Sequence, residues 1–151
     1  MLRRPPPSPD RRAAAVTDRL FVYGTLAPGN AAWAVLEPWV VGAATLDAVA
    51  GRLFDTGRGY PGATFEPGPV DEAHGLVHGS VVVLGRPETA LAALDRYEGD
   101  EYARITVRTA AGIDVATYAW TAPLTGCRLL ADGRWPDSET RDPEARRAAG
   151  R

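Results

Sequence analysis

Residues 20–26 read Leu-Phe-Val-Tyr-Gly-Thr-Leu, and this stretch decides the fold that we expect. The four apolar residues Leu20–Tyr23 are typical of a short buried strand. Gly24 follows at once and predicts a tight turn where that strand ends. A second stretch far along the chain, residues 94–99, reads Leu-Asp-Arg-Tyr-Glu-Gly and is typical of the end of a helix. The two stretches together carry the prediction of a functional site.

The turn after Tyr23 is the candidate ligand-binding loop. Successive backbone N–H groups around a glycine that leaves a strand can form a concave anion-binding surface. Such a surface suits a carboxylate and needs no charged side chain. A plain β-turn is the alternative interpretation, because a four-residue motif has low specificity.

The segment Arg86–Glu98 is the clearest helix in the sequence, and Gly99 is a natural stop for it. Leu91, Leu94 and Glu98 are spaced i, i+3 and i+7, so they share one face of this helix. Glu98 should therefore be partly desolvated, and it also lies at the negative end of the helix dipole. Both effects raise the pKa of a carboxyl group, as a general base near neutral pH requires. A solvated glutamate at a frayed helix end is the alternative.

The remaining pattern predicts a small mixed α+β fold. A short helix is expected at Ala31–Glu37, and a loop of tight turns at Asp55–Gly62. Strands are predicted at Val40–Leu46, Val49–Phe54, Gly75–Leu84, Ala103–Thr109 and Val115–Thr121, with Gly75–Leu84 in the centre of the sheet. Several strands with two or three short helices favour a curled, barrel-like sheet.

The length of 151 residues predicts one domain, residues 19–135, between two tails. Residues 1–18 are rich in proline and arginine and are expected to be disordered, and residues 136–151 are polar. The single cysteine, Cys127, excludes an internal disulfide. We find no apolar run of membrane-spanning length and no signal-peptide core. A cytoplasmic protein that does not bind a membrane is therefore expected.

All 17 basic residues are arginine, so lysine is absent. This excludes a phosphate-binding loop of the Walker type, a lysine Schiff base and a lysine general base. Residues 20–135 carry eight arginines and thirteen acidic residues, which argues against nucleic acid as a partner. The sequence makes no prediction about the oligomeric state.

Other reactive side chains give weaker signals. His74 and His78 lack an evident third ligand, so a zinc site is not predicted. Cys127 has no nearby histidine, and Ser80 is not in a Gly-x-Ser-x-Gly elbow, so nucleophilic catalysis has little support. Trp33, Trp39, Trp120 and Trp135 are interpreted as core or rim packing.

Five short motifs, taken in order, resemble the γ-glutamylcyclotransferase-like (AIG2-like) family. They are Phe-Val-Tyr-Gly-Thr-Leu at 21–26, Gly-Arg-Leu-Phe-Asp at 51–55, Tyr-Pro-Gly at 60–62, His-Gly-Leu-Val at 74–77 and Leu-Asp-Arg-Tyr-Glu-Gly at 94–99, the last followed by Tyr-Ala-Arg at 102–104. The resemblance runs from about residue 20 to about residue 120. Each motif is short, but the ordered set is specific.

The resemblance implies a barrel-like fold with a cavity at one end. It also implies a reaction in which the amine of a γ-glutamyl group attacks its own γ-carbonyl, releasing 5-oxoproline and a free amine, amino acid or peptide. On this interpretation Glu98 is the catalytic acid and base, and no metal or cofactor is needed. The substrate-binding residues that the resemblance implies are Tyr23, Gly24, Thr25, Leu26, Tyr60 and Tyr102.

Two rival hypotheses remain open at the level of the sequence. The same fold could serve as a non-catalytic domain that binds a small molecule or a protein. Alternatively, a hydrolase or acyltransferase could use Cys127 or Ser80, which requires a base within hydrogen-bonding distance of either. Whether Glu98 lines a cavity opposite the amides of residues 24–26 distinguishes these possibilities.

Overall fold

The computed structural model describes residues 17–66 and 75–135. Most of both predicted tails and the position of His74 lie outside these residues. The elements, in chain order, are β1 (Arg19–Val22), α1 (Trp33–Leu36), β2 (Val40–Asp55), β3 (Pro61–Phe65), β4 (Leu76–Leu84), α2 (Pro87–Glu98), β5 (Tyr102–Arg108), β6 (Asp114–Trp120) and β7 (Arg128–Leu130). A 3₁₀ turn at Glu37–Trp39 joins α1 to β2.

The strands form one mixed sheet in the order β3-β2-β4-β1-β6-β5, and β7 pairs with β2. Strand β1 lies near the middle, antiparallel to β4 and parallel to β6. The sheet curls so far that Gly62 of β3 packs against the Trp120 ring of β6. The predicted mixed fold with a barrel-like sheet and short helices is therefore confirmed.

The two faces of β1 belong to two different hydrophobic clusters. Leu20 and Val22 pack with α2, while Phe21 and Tyr23 pack with β2, β3 and β7. A strand that is buried on both faces needs apolar residues at every position, which explains its uninterrupted apolar sequence. The turn that follows β1 is thus anchored to the centre of the protein.

Helix α2 agrees with the prediction within one residue. It buries Ala90, Leu91 and Leu94 against the sheet and ends at Gly99, whose φ angle is 76°. A positive φ is accessible to glycine at little cost, so Gly99 stops the helix directly after Glu98. Within the described ranges, no helix is both long enough and apolar enough to cross a membrane.

Several predicted boundaries are wrong, each for a local reason. The helix predicted at Ala31–Glu37 is a single turn, because Pro38 lies in the 3₁₀ turn that follows it. The strands predicted at Val40–Leu46 and Val49–Phe54 are one strand, β2, which continues through an irregularity between Val41 and Thr45.

Further differences arise from pairing between distant segments. Pro61 and Gly62, predicted as loop, begin β3, which pairs with β2 from Gly51 to Asp55. The short strand β7 was not predicted at all. By contrast, β4 lies between β2 and β1, so its predicted central place is confirmed. The two strands predicted at 103–109 and 115–121 are also confirmed, each shifted by one residue.

Candidate functional site

The turn after β1 is held by its carbonyl groups. The Gly24 carbonyl oxygen accepts hydrogen bonds from the Ala27 amide at 3.0 Å and from Asn30 Nδ2 at 2.9 Å. The Thr25 carbonyl oxygen accepts one from the Ala32 amide at 2.7 Å. In the part of the chain that the structure describes, the N–H groups of residues 24–26 donate to no protein acceptor. The turn therefore offers three consecutive donors to a ligand.

Gly24 makes a close contact that excludes any side chain. A Cβ atom at this position would lie 2.8 Å from Pro61 Cγ and 3.0 Å from Pro61 Cδ. The carbonyl oxygen of Pro61 in turn accepts a hydrogen bond from the Tyr102 hydroxyl at 2.6 Å. The start of β3 thus joins the turn to β5, an arrangement for which the sequence carried no signal.

Glu98 is the last residue of α2 and is partly buried. No hydrogen bond or ion pair to its carboxylate is found among residues 17–66 and 75–135. Burial raises the pKa of this carboxyl group from 4.5 to about 7. The predicted direction of the shift is therefore confirmed, and desolvation is its cause. A carboxyl group with this pKa can both accept and donate a proton near neutral pH.

The raised pKa means that the folded state favours the protonated form of Glu98. The stability gained in this way is fully present below about pH 4.5 and is lost as pH rises through about 7. We therefore expect Glu98→Gln to be more stable than wild type above that range, by up to about 3 kcal/mol, and nearly equal to it below. Urea unfolding of both proteins at about pH 4 and about pH 8.5 measures this. A stability difference that is the same at both pH values would contradict the buried location of Glu98.

All six predicted substrate-binding residues line the same cavity as Glu98, and the cavity has a volume of about 30 Å³. It adjoins a wider outer cavity of about 460 Å³, bordered by Ala31, Ala32, Gly59 and Tyr97. Thr25, Tyr60, Glu98 and Tyr102 line both cavities, so they lie where the two meet. The stretches at residues 20–26 and 94–99 therefore meet at one cavity.

Four tyrosines line the inner cavity, and each donates its hydroxyl proton to a protein acceptor. The bonds are Tyr23 to the Tyr118 carbonyl at 2.5 Å, Tyr102 to the Pro61 carbonyl at 2.6 Å, Tyr118 to Asp95 at 2.7 Å and Tyr60 to Glu101 at 2.9 Å. Burial raises the pKa values of Tyr23, Tyr102 and Tyr118, which keeps these phenols neutral. Toward a ligand, these four oxygens can act only as hydrogen-bond acceptors.

The cavity therefore has two chemically different parts. The amides of residues 24–26 offer donors for anionic oxygens, whereas Glu98 and the phenol oxygens offer acceptors for an ammonium group. A molecule that carries both an anionic group and an ammonium group matches both parts.

Four residues that line the inner cavity were not among the predicted site residues, namely Phe21, Val22, Pro61 and Tyr118. Tyr118 lies in β6 and Pro61 at the start of β3, and both line the cavity. Residues 115–118 of β6 are all buried, so the strand is covered on both faces, and nothing local in the sequence marks Tyr118 as part of a site. Asp95 and Glu101 form hydrogen bonds with the lining tyrosines. Asp95 lies within the motif at 94–99 but was not predicted as a site residue, and nothing in the sequence marked Glu101.

The other candidates are not brought to this cavity. Neither Cys127 nor Ser80 is hydrogen-bonded to a base in the described ranges. His78 lies beside Arg134, and burial and that positive charge lower its pKa. Among the described residues no cluster of three or more His, Cys, Asp or Glu side chains could hold a metal.

The tryptophans pack as predicted. Trp33 and Trp39 lie against the cluster around α2, and Trp135 lies against the opposite cluster. Trp120 is buried and makes an edge contact with the Tyr102 ring, their centroids 5.2 Å apart. The Trp120 ring thereby supports the cavity wall from behind.

Comparison with known proteins gave one matching family and several similar structures. Residues 20–137 match the family described as gamma-glutamyl cyclotransferase, AIG2-like. A protein specific to uropathogenic Escherichia coli is 22% identical over 84% of this chain and 96% of its own, with a TM-score of 0.65. The protein YtfP of Escherichia coli is 30% identical over 80% of this chain and 98% of its own, with a TM-score of 0.51.

An AIG2-like protein from mouse is 20% identical over 70% of this chain and 80% of its own, with a TM-score of 0.55. At 20% identity, the similarity to the mouse protein supports the fold of this chain but not its function. The comparison with curated proteins gave no match.

Proposed function

Because the chain belongs to the gamma-glutamyl cyclotransferase, AIG2-like family, we propose that it cyclises a γ-glutamyl group to 5-oxoproline with Glu98 as the acid and base. The observation that carries this proposal is the unpartnered, partly buried carboxylate in one cavity with three free amide donors. The substrate is a γ-glutamyl amine, amino acid or peptide. No part of the chemistry requires a cofactor.

The first step moves a proton and forms a bond. The Glu98 carboxylate takes a proton from the α-ammonium group of the substrate, and the resulting amine attacks the γ-carbonyl carbon. The reaction closes a five-membered ring within one molecule, so the protein contributes mainly by holding the reactive conformer. The phenol oxygens that accept hydrogen bonds favour binding of the ammonium group before it loses its proton.

The second step breaks the original amide bond. Glu98, now protonated, donates its proton to the leaving nitrogen as the tetrahedral intermediate collapses to the lactam. The amides of residues 24–26 donate to the substrate's anionic oxygens, and a donor aimed at a developing oxyanion is worth about 10²–10³ in rate. The ring nitrogen also loses a second proton, which the departing amine takes up as it leaves as an ammonium group. Glu98 therefore ends the cycle ionised, as it began, and protons balance.

The direct test is a panel of γ-glutamyl compounds with different leaving groups, with 5-oxoproline detected by mass spectrometry. We expect at least one γ-glutamyl amide to yield 5-oxoproline and its free amine in equal amounts. The matching α-glutamyl amides serve as a control, because their amine and carbonyl cannot close the same ring. If the protein binds γ-glutamyl compounds but converts none, the fold serves here as a non-catalytic binding domain.

A further inference from the structure

Asp95 lies three residues before Glu98, on the adjoining turn of α2. Its carboxylate accepts hydrogen bonds from Arg104 Nε at 3.0 Å, from Arg104 Nη2 at 3.2 Å and from the Tyr118 hydroxyl at 2.7 Å. A bidentate arginine fixes a carboxylate in orientation as well as in place. The side chain of Asp95 is therefore held at three points.

The two residues that donate hydrogen bonds to Asp95 are neighbours on adjacent strands of the sheet. Arg104 of β5 and Tyr118 of β6 are directly opposite each other in the strand register. Asp95 thus joins α2 to a single cross-strand pair. Its backbone carbonyl also accepts the Gly99 amide at 3.1 Å, at the helix end. The turn that carries Glu98 is fixed by both its main chain and a side chain.

Tyr118 links the Asp95–Arg104 ion pair to the cavity. Its ring lines the cavity beside Glu98, and its carbonyl accepts the hydroxyl proton of Tyr23. The pKa of Tyr118 is raised by burial, by the hydrogen bond to Asp95 and by the negative charges of Asp95 and Glu98. The Tyr118 hydroxyl therefore lies close enough to Asp95 and Glu98 for both negative charges to affect its pKa.

We propose that Asp95, held by Arg104, is a positioning residue that sets the location of Glu98 relative to the phenol of Tyr118. This inference rests on the proposed function, because it assigns a role to residues outside the reacting groups. The role is specific to this ion pair. A second bidentate pair, Arg108 with Asp114, joins β5 to β6 at an exposed place, and among the described residues neither side chain forms a hydrogen bond with α2.

The Arg108–Asp114 pair provides a matched control. Asp95→Asn and Asp114→Asn each remove one carboxylate charge from a bidentate pair with an arginine of β5. Asp95→Asn removes a negative charge one turn before Glu98 on the same helix, which favours the ionised form of Glu98. The other groups that face Glu98 are the phenols of Tyr23, Tyr60, Tyr102 and Tyr118 and the more distant Arg58–Glu101 pair. Neither variant replaces any of these groups, but Asp95→Asn changes the acceptor to which the Tyr118 hydroxyl donates.

Two measurements test the proposal. The kcat and KM values for 5-oxoproline release report on the reaction, and carbon NMR of labelled glutamate reports the pKa of Glu98 without a substrate. We expect Asp95→Asn to lower kcat about tenfold or more with KM changed by less than about threefold, because small displacements of a catalytic group lower the rate strongly. We also expect it to lower the pKa of Glu98. Asp114→Asn should match wild type in both measurements.

The proposal is overturned if Asp95→Asn keeps the wild-type kcat, or if its Glu98 titration matches that of Asp114→Asn. If Asp95→Asn does not fold, Tyr118→Phe takes its place, since it removes only the hydroxyl; a wild-type kcat in that variant overturns the proposal. If wild type releases no 5-oxoproline, the proposed function fails, and the Glu98 titration alone decides whether Asp95 positions that carboxylate.

Discussion

Replacement of Glu98 by glutamine is expected to lower kcat for 5-oxoproline release by about 10³-fold, within the range that one general base contributes. The amide of glutamine has nearly the same shape as the carboxylate but cannot accept the ammonium proton. KM should change much less, because the amides of residues 24–26 remain in place to hold the substrate. Initial rates measured by mass spectrometry at saturating substrate give this comparison.

Glu88→Gln is the matched control for this experiment. Glu88 is an exposed residue in the first turn of the same helix, far along the helix axis from the cavity. Its replacement removes the same charge from the same element and should leave kcat at the wild-type value. Equal rates for wild type and Glu98→Gln would remove Glu98 from the mechanism.

Gly24→Ala is expected to lower kcat/KM by about 10²-fold or more, the cost of moving a substrate-positioning group by about 1 Å. The added methyl group would lie 2.8 Å from Pro61 Cγ, so either the turn or the start of β3 must shift. A shift of Pro61 also disturbs its hydrogen bond with Tyr102, and both residues line the cavity. Steady-state kinetics with the best γ-glutamyl substrate measure the loss.

Gly29→Ala separates this local effect from a general loss of stability. Gly29 has a φ of 82°, where an alanine is strained, but an added Cβ has no atom within 4 Å. We expect this variant to lose about 1 kcal/mol of stability and to keep its kcat/KM. If Gly24→Ala is as active as Gly29→Ala, then the contact with Pro61 does not shape the site.

The sequence predicts the two halves of the site well because each depends on local rules. The apolar run before Gly24 predicts β1 and its turn, and the spacing of Leu91, Leu94 and Glu98 predicts which face of α2 is buried. The raised pKa of Glu98 follows from that burial. These features need no knowledge of the partner segments.

What the sequence does not predict depends on pairing between distant segments. Strand β3 exists because Pro61–Phe65 pairs with β2, and no local pattern distinguishes it from the loop before it. Tyr118 joins the cavity only because β6 runs parallel to β1. Asp95 and Arg104 lie within the recognised motifs, yet their ion pair is visible only once α2 packs on β5.

The pH dependence of kcat/KM for 5-oxoproline release tests the central claim most directly, namely that a partly buried Glu98 moves the protons. We predict that kcat/KM of wild type rises with pH through a single ionisation at about 7, the pKa that burial gives to Glu98, and that the residual rate of Glu98→Gln lacks this step. A profile without an ionisation near this pH in wild type, or the same ionisation in Glu98→Gln, would contradict the account.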